Sequence, residues 1–449
     1  MRKLFGTDGI RAVAGEAPLD PRTIYAVGVA LAHQLRANSH SPSIIVGMDT
    51  RESSEWIAAV LTAGLTQGGA TVESAGVITT PAIAYLARRH RFSAGAVISA
   101  SHNPWHDNGI KVFGGDGYKL PDETELRIEE EIFRQLESSA APDPAQLSAP
   151  TVNPSFREDY TAFLLSAVPG LCLDGLRLVV DCANGAASAI APELFAGLCG
   201  SVQLTHASPD GRNINAECGA LHPSVVAAET RAAGADMGVT FDGDADRALF
   251  ACRQGKVVNG DAVLLLAARA LKAESRLNGD VVVATTMSNM GLEAALRRDQ
   301  IKMLRAPVGD KYVLEVMQAN AASLGGEQSG HILFPHLATT GDGLLTALVV
   351  LDIVRRSGKA LDELIADLKV FPQVIVNVRV KEKKPLEEIA TVAATIRDAE
   401  SQLNGNGRVV VRYSGTEPLA RVMIEAESEE TMRHHADAIA GAIREALGA

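Results

Sequence analysis

GAVISASHNPWHDNGIKVF, residues 95–113, holds a polar loop between two apolar segments. The segment that ends at Ile98 and the segment that begins at Ile110 are typical of strands. Pro104 and Gly109 keep the stretch between them from forming a helix. Loops that join strands lie at the surface and often carry chemistry. The stretch therefore predicts a functional loop held on a rigid sheet.

Two further stretches share this pattern of strand, polar loop and strand. They are DMGVTFDGDADRALF (236–250) and ASLGGEQSGHILF (322–334), and all three copies end in Phe. Each copy is preceded by an apolar strand, a small polar loop and a helix, which begin at Ser43, Leu176 and Asp280. Apolar, β-branched runs suit the buried strands of a parallel sheet. The repeat predicts an α/β fold with three related domains that have mixed sheets.

The pattern changes after about residue 370. VIVNVRV (374–380) alternates apolar and polar residues, which is typical of a half-exposed antiparallel strand. A helix, two strands and a final helix are expected to complete a C-terminal α+β domain. We predict four domains, each with one functional loop, at residues 1–150, 151–255, 256–370 and 371–449.

Composition excludes several classes of protein. At 449 residues the chain is too long for one core, and its net charge of -12 argues against a nucleic-acid binder. The five cysteines are odd in number and form no Cys-x-x-Cys pair, which favours a reducing compartment over a disulfide framework or zinc site. The N-terminus does not resemble a signal peptide, and the apolar runs are shorter than the roughly 20 residues that span a bilayer. We expect a soluble cytoplasmic protein with neither a nucleic-acid nor a membrane partner.

The loop TFDGDADRAL supplies Asp242, Asp244 and Asp246. Carboxylates at alternate positions of an extended segment can converge on a hard cation such as Mg²⁺ or Ca²⁺. An EF-hand is excluded, because Arg247 and Arg253 stand where it needs Gly and Glu. A haloacid-dehalogenase-type phosphatase would normally have Thr or Val in place of Asp246. A solvated acidic turn is the remaining alternative, but an unoccupied carboxylate cluster would be costly.

The loop of residues 99–107, here called the serine loop, offers Ser101 as a nucleophile. A serine hydroxyl needs activation or a prior covalent charge. His102 is not expected to act as its base, since adjacent residues of an extended segment point to opposite sides. Alternatively, Ser99, Ser101 and Asn103 only form hydrogen bonds within the turn.

The third loop, GGEQSGH, offers Glu327, Ser329 and His331 between glycines that allow a close backbone approach. This mixture suits sugar hydroxyls or an amine. The alternative is a glycine-rich turn without a ligand.

The fourth loop, RYSGTEPLAR, predicts a phosphate cradle. Arginine forks, hydroxyls and backbone N–H groups surround a short turn there. The alternative is a surface pair of arginines. The chain contains neither a Walker motif nor a dinucleotide fingerprint, so ATP and NAD have no motif support. The cradle residues are Arg412, Ser414, Gly415, Thr416 and Arg421.

In this order, SASHNP, DGDADR, GEQSG and RYSGTE resemble the four signature loops of the α-D-phosphohexomutase superfamily. The resemblance covers the whole chain. Within the superfamily, KLFGTDGIR, PDGRNINAECGALHP (209–223), Gln328 and TTGDG (339–343) resemble stretches of the bacterial members that act on amino-sugar phosphates. Relatives often carry an arginine where this chain has Lys311. The lysine keeps the positive charge but lacks the forked guanidinium that can form two parallel hydrogen bonds.

The resemblance implies four domains around a central cleft and phosphorylation of Ser101. It implies one Mg²⁺ per chain, bound by Asp242, Asp244, Asp246 and an oxygen of phosphorylated Ser101. Glu327 and Ser329 would contact sugar hydroxyls, and the cradle would hold the phosphate that is not transferred. Residues expected near the phosphoserine or in proton transfer are Thr7, Arg11, Arg247, Lys111 and His331.

The expected reaction interconverts glucosamine 6-phosphate and glucosamine 1-phosphate through a bisphosphorylated sugar, on the route to UDP-N-acetylglucosamine. Glucosamine 1,6-bisphosphate or glucose 1,6-bisphosphate would be the activator, and hexosamine phosphates the small-molecule partners. A homodimer is implied by the resemblance alone. The alternatives are a phosphomannomutase/phosphoglucomutase specificity, a metal-dependent sugar phosphatase and a binding protein without activity.

Overall fold

The computed structural model describes residues 4–6, 8–37, 40–138, 142–198, 200–413 and 418–448. The chain forms two compact units, Met1–Thr286 with Leu304–Leu364 and Met287–Met303 with Ile365–Ala449. In the described part of the chain, no helix is both long enough and apolar enough to cross a bilayer. Among the site residues named above, those outside the described set are Thr7, Ser414, Gly415 and Thr416, and one of the five cysteines, Cys199, lies outside it too.

The first repeat contains, in chain order, β1 (Ile10–Val13), α1 (Pro21–Arg36), β2 (Ser43–Met48), α2 (Ser54–Gln67), β3 (Thr71–Val77), α3 (Thr80–Arg89), β4 (Ala94–Ile98), β5 (Asp107–Gly114) and α4 (Asp122–Ser138). Its sheet has the order β1-β5-β4-β2-β3. β2 pairs in parallel with β3 and β4, whereas β5 is antiparallel to both β4 and β1.

The second repeat contains α5 (Ser155–Ala167), β6 (Arg177–Asp181), α6 (Ala191–Ala196), β7 (Ser201–Thr205), α7 (Pro223–Ala232), β8 (Met237–Phe241), β9 (Ala248–Cys252) and β10 (Val257–Val258). The third contains α8 (Gly260–Ala273), β11 (Val281–Thr285), α9 (Met290–Arg298), β12 (Lys302–Ala306), α10 (Asp310–Ala319), β13 (Gly325–Gly326), β14 (Ile332–Leu333), α11 (Gly343–Ser357) and α12 (Leu361–Leu364). Their sheets have the orders β10-β9-β8-β6-β7 and β12-β11-β13-β14.

The three repeats share one strand order. β5-β4-β2-β3, β9-β8-β6-β7 and β14-β13-β11-β12 are equivalent, and in each the first two strands form an antiparallel pair. The polar loops predicted to be functional join these antiparallel pairs. The predicted α/β class with three related domains is thereby confirmed, and the exact domain boundaries stay predictions.

The packing of α1 on α2 shows why this sequence folds locally as it does. Asp20 caps α1 by accepting hydrogen bonds from the backbone N–H groups of Arg22 and Thr23, and Pro21 occupies the first turn. The two helices approach closely at Gly28 and Gly64, where a Cβ would lie 2.5 Å from Leu61 O and 2.3 Å from Tyr25 O, respectively. A larger residue at either glycine would force the helices apart.

The C-terminal elements lie in the second compact unit. They are β15 (Gln373–Arg379), α13 (Ala390–Leu403), β16 (Gly407–Tyr413), β17 (Leu419–Ala426) and α14 (Glu429–Leu447). The sheet is antiparallel with the order β15-β17-β16, as expected for the predicted α+β domain. Its buried face packs around Ile424 of β17 and Ile439 of α14. α9 belongs to this unit too, since Met290 N donates to Glu425 Oε1 at 2.7 Å.

Candidate active site

The loops of the first two repeats meet at Ser101. The Ser101 hydroxyl donates to Asp242 Oδ2 at 2.5 Å. Asp242, Asp244 and Asp246, here called the carboxylate cluster, offer oxygens that lie within 4.8 Å of one another. Ser101 is 1% exposed, and the three aspartates are buried as well. The sequence-predicted nucleophile and metal ligands therefore share one water-poor site.

The carboxylate cluster fits a hard divalent cation. Asp244 Oδ1 and Asp246 Oδ1 are buried and have no hydrogen-bond partner within the described chain. Burial and the two neighbouring carboxylates raise the pKa of Asp242 well above its ordinary value. A cation would reduce the repulsion between the carboxylates and would bind the oxygens that lack a hydrogen-bond partner. Carboxylate oxygens are ligands that Mg²⁺ prefers.

Ser101 sits in a left-handed turn with φ 54°. Its backbone N–H donates to Ser99 Oγ at 2.9 Å, and Ser99 Oγ donates to Asp49 Oδ2 at 2.7 Å. The expectation that Ser101 and His102 point to opposite sides is wrong, because the segment is not extended here. Ser101 Oγ lies 3.2 Å from His102 Nδ1. Burial, reinforced by nearby arginines, lowers the pKa of His102 to about 4, so the ring is neutral at pH 7.

Lys111 brings positive charge into the cluster. Its Nζ lies 2.7 Å from Asp244 Oδ2, 2.9 Å from Asp8 Oδ2 and 3.6 Å from Asp246 Oδ2. Burial opposes its charged form, yet Asp244, Asp8 and Asp246 together raise the pKa of Lys111 above the ordinary lysine value. The residue is therefore an ammonium group that can donate a proton or a hydrogen bond.

Two residues at the site were missed in the sequence. Thr80, at the start of α3, donates from Oγ1 to Asp244 Oδ2 at 2.5 Å and from its N–H to Asp244 O at 3.0 Å. No sequence signal marked it. Asp8 pairs with Arg11, Lys111 and Lys119, and these cations outweigh burial and hold the pKa of Asp8 below its usual range. Its place inside FGTDGIR, beside Arg11, could have indicated it.

The third loop reaches the carboxylate cluster through His331. His331 Nδ1 lies 3.6 Å from Asp246 Oδ1, and Nε2 lies 3.6 Å from Asp310 Oδ2. Burial favours the neutral ring, but Asp246 foremost raises the pKa of His331 to about 9. Ser329 Oγ donates to Glu327 Oε2 at 3.2 Å, so these two predicted sugar contacts are adjacent.

Arg247 and Lys311 take different positions. Arg247 N donates to Asp242 Oδ1 at 3.2 Å, and its Nε lies 3.8 Å from Asp246 Oδ1, so Arg247 contacts the carboxylate cluster. Lys311 forms an ion pair with Asp122. Its single ammonium thus serves a contact that does not require the fork of an arginine.

The described residues at the two ends of the fourth loop belong to β16 and β17 of the second compact unit. Arg412 of β16 and Arg421 of β17 are directly opposite partners in the antiparallel ladder. Like charges at such positions repel, so a bound anion would stabilise the pair. Two of the five predicted cradle residues can be placed, and Ser414, Gly415 and Thr416 lie outside the described residues.

The whole chain is similar to one enzyme family. Residues 2–139, 158–255 and 259–371 match alpha/beta/alpha domains I, II and III of phosphoglucomutase/phosphomannomutase, and residues 375–442 match its C-terminal domain. Solved structures share the fold. A phosphoglucomutase/phosphomannomutase family protein from Burkholderia thailandensis has a TM-score of 0.78 at 22% identity, covering 99% of this chain and 98% of that one.

Curated relatives are more similar in sequence. Phosphoglucosamine mutase of Koribacter versatilis is 59% identical over 456 residues, which cover 100% of this chain and 98% of that protein. The phosphoglucosamine mutase of Solibacter usitatus is 53% identical, covering 100% of this chain and 99% of that protein. The chain therefore belongs to the phosphoglucomutase/phosphomannomutase family, whose members are phosphohexomutases.

Proposed function

We propose that the protein interconverts glucosamine 6-phosphate and glucosamine 1-phosphate. Phosphorylated Ser101 gives its phosphoryl group to the free hydroxyl of the sugar monophosphate. The bisphosphate that forms turns over and returns its other phosphate to Ser101. The observation that carries this proposal is the 2.5 Å contact between Ser101 Oγ and Asp242, inside a buried carboxylate cluster. Full-length relatives named phosphoglucosamine mutase support the amino sugar as substrate.

The carboxylate cluster would hold Mg²⁺ together with an oxygen of phosphorylated Ser101. Such a cation neutralises charge on the transferring phosphoryl group. A solved structure that shares this fold at 19% identity, with a TM-score of 0.64 and coverage of 99% of this chain and 96% of that one, is described as Aspergillus fumigatus N-acetylphosphoglucosamine mutase in complex with GlcNAc-6P and magnesium. Glucosamine 1,6-bisphosphate or glucose 1,6-bisphosphate would load the serine.

The remaining site residues have separate roles in charge stabilisation, proton transfer and substrate binding. Lys111, Arg247 and Arg11 supply positive charge around the transferring group. Lys111 and His331 are the candidates for proton transfer at the sugar hydroxyl. The carboxylates around them raise the pKa of both groups, which keeps both protonated near pH 7. Glu327 and Ser329 would contact sugar hydroxyls, while Arg412, Ser414, Gly415, Thr416 and Arg421 would hold the phosphate that is not transferred. Burial of Ser101 protects the phosphoserine from water.

Mass spectrometry tests the covalent step. Trypsin releases residues 92–111, which contain Ser93, Ser99 and Ser101, and residues 232–247, which contain the carboxylate cluster. After incubation with glucosamine 1,6-bisphosphate, fragmentation should place one phosphate on Ser101, and Ser101→Ala should take up none. A hydroxylamine-sensitive phosphate on residues 232–247, with release of inorganic phosphate, would instead indicate a sugar phosphatase.

Kinetics test the substrate. Rates on the monophosphates of glucosamine, glucose and mannose should favour the 2-amino sugar, with almost no inorganic phosphate formed. Equal or higher kcat/KM on the 2-hydroxy sugars would move the assignment to phosphomannomutase/phosphoglucomutase while leaving the phosphoserine mechanism in place.

A further inference from the structure

Arg51, in the loop before α2, is completely buried with 0% side-chain exposure. Each of its five N–H donors meets an acceptor. Nε donates to Asp49 Oδ2 at 2.8 Å. The other four bonds go to backbone carbonyls of the serine loop, those of Ser101, Asn103, Pro104 and Asp107. A buried guanidinium with every donor matched fixes the path of the backbone around it.

Asn215 reaches the same carbonyls from the second repeat. Its Nδ2 donates to Ser101 O at 2.9 Å and to Asn103 O at 3.2 Å. Arg51 Nη2 donates to these two oxygens at 2.9 Å each. The carbonyls of Ser101 and Asn103 thus accept bonds from two separate repeats. Asn215 is buried and belongs to the NINAECG stretch (213–219).

We propose that Arg51 and Asn215 are positioning residues that hold the serine loop in the turn that aims Ser101 Oγ at the carboxylate cluster. The turn needs such support, because a left-handed φ of 54° at a serine persists only where the surroundings impose it. The inference rests on the proposed transfer of phosphate through Ser101. It assigns Asn215 to the rate of phosphoryl transfer and not to the choice of sugar.

Two substitutions remove this support without enlarging a side chain. Arg51→Lys keeps the charge but cannot match five acceptors with one ammonium group. Asn215→Asp replaces the Nδ2 donor by an oxygen that faces two carbonyl oxygens. A displacement of about 1 Å at the reacting atom can cost roughly 100-fold in rate.

The experiment compares these variants with matched controls. Asn213→Asp makes the same chemical change in the same stretch, where the Asn213 side chain donates only to Ser208 O of its own loop. Arg127→Lys changes an exposed arginine that pairs with Glu123 on α4. For each protein, kcat, KM, the selectivity between 2-amino and 2-hydroxy sugars, and the rate of phosphate uptake at Ser101 are measured at equal folded fraction.

Arg51→Lys and Asn215→Asp should lower kcat and the rate of Ser101 phosphorylation by about 10- to 100-fold. KM, sugar selectivity and both controls should match the wild type. Unchanged kcat, or a loss confined to KM or selectivity, would overturn the inference. If Arg51→Lys does not fold, Asn215→Asp decides alone. Wild-type protein that never takes phosphate on Ser101 would overturn the proposed function itself, which is a separate outcome.

Discussion

The serine loop and the arginine hairpin formed by β16 and β17 handle charge in opposite ways. Around the serine loop, Arg51 and Asp49 are both 0% exposed and pair with each other. On the hairpin, Arg412 is exposed, and its ladder partner is Arg421, a residue of the same sign. Both regions were predicted to act on phosphate, yet the first pairs its buried charges with each other, whereas the second places two charges of the same sign opposite one another.

The difference follows from the cost of burial. A buried charge must have partners, and partners fix geometry, which suits a step in which bonds form and break. An exposed arginine needs no internal partner and can bind a phosphate reversibly, although salt weakens the attraction. We therefore expect substitutions around the serine loop to lower kcat and substitutions on the hairpin to raise KM.

The largest effect should come from the chemistry itself. Ser101→Ala removes the group that carries phosphate, and Asp244→Asn removes charge from the carboxylate cluster, so each should lower mutase kcat by about 1,000-fold or more. A coupled assay of glucosamine 1-phosphate formation measures this loss. Asp236→Asn, which changes a carboxylate that pairs with Arg253 outside the cluster, is the control. Turnover of Ser101→Ala within tenfold of wild type would remove the serine from the mechanism.

The sequence was informative where a loop carries its own chemistry. Ser101 and the carboxylate cluster lie in short stretches whose residue types and spacing indicate their role. The threefold strand pattern likewise predicted three related α/β domains. These features depend on neighbours in the chain, so they can be read without coordinates.

The supporting residues could not be predicted in this way. Arg51 binds carbonyls about 50 residues further along, and Asn215 binds a loop of another repeat. Thr80, the first residue of α3, contacts Asp244 from 164 positions earlier in the chain. The backbone turn at Ser101 was also missed, since alternation along a strand does not reveal a left-handed residue. All four depend on tertiary contacts.

Buried carboxylates should also make stability depend on pH. Burial raises the pKa of Asp342 to about 6, against the hydrogen bonds it accepts from Leu345 N and Tyr160 Oη. The folded state then keeps a proton that the unfolded chain releases, so this contribution to stability falls as pH rises from about 4 to 6 and stays constant above that. A shift of about two pKa units corresponds to about 3 kcal/mol.

Asp342→Asn should abolish that loss, because an amide can accept from Leu345 and donate to Tyr160. The free energy of unfolding of the variant relative to wild type should rise by about 3 kcal/mol between pH 4 and pH 7. Urea denaturation at several pH values measures it. Asp342 is the N-cap of α11. Asp143→Asn makes the same change at an exposed N-cap and therefore controls for the loss of a capping carboxylate. If the free energy of unfolding of Asp342→Asn differed from that of wild type by the same amount at every pH in this range, Asp342 would not be the source of the pH dependence.

The hairpin should respond through affinity. Arg412→Ala removes one side of the proposed cradle, and charge-assisted bonds of about 1.5–3 kcal/mol predict a KM about 10- to 100-fold higher with little change in kcat. Arg433→Ala on α14, which removes an exposed arginine paired with Glu429, is the matched control. A lower kcat at unchanged KM would mean that the exposed arginine acts like the buried ones.

The smallest effect is expected at Thr80, which supports the carboxylate cluster without being a proposed ligand. Thr80→Val deletes the hydroxyl that donates to Asp244 Oδ2 at 2.5 Å while keeping the shape of the side chain. Groups that orient metal ligands typically contribute about 10-fold to metal affinity, so half-saturation by Mg²⁺ should shift by about that factor. Thr80→Ser should restore it, because the hydroxyl returns. If Thr80→Val and Thr80→Ser reach half-saturation at the same Mg²⁺ concentration, the hydrogen bond from Thr80 N–H to Asp244 O is sufficient to orient the aspartate. The geometry around the serine loop would then depend on main-chain contacts more than on buried side chains.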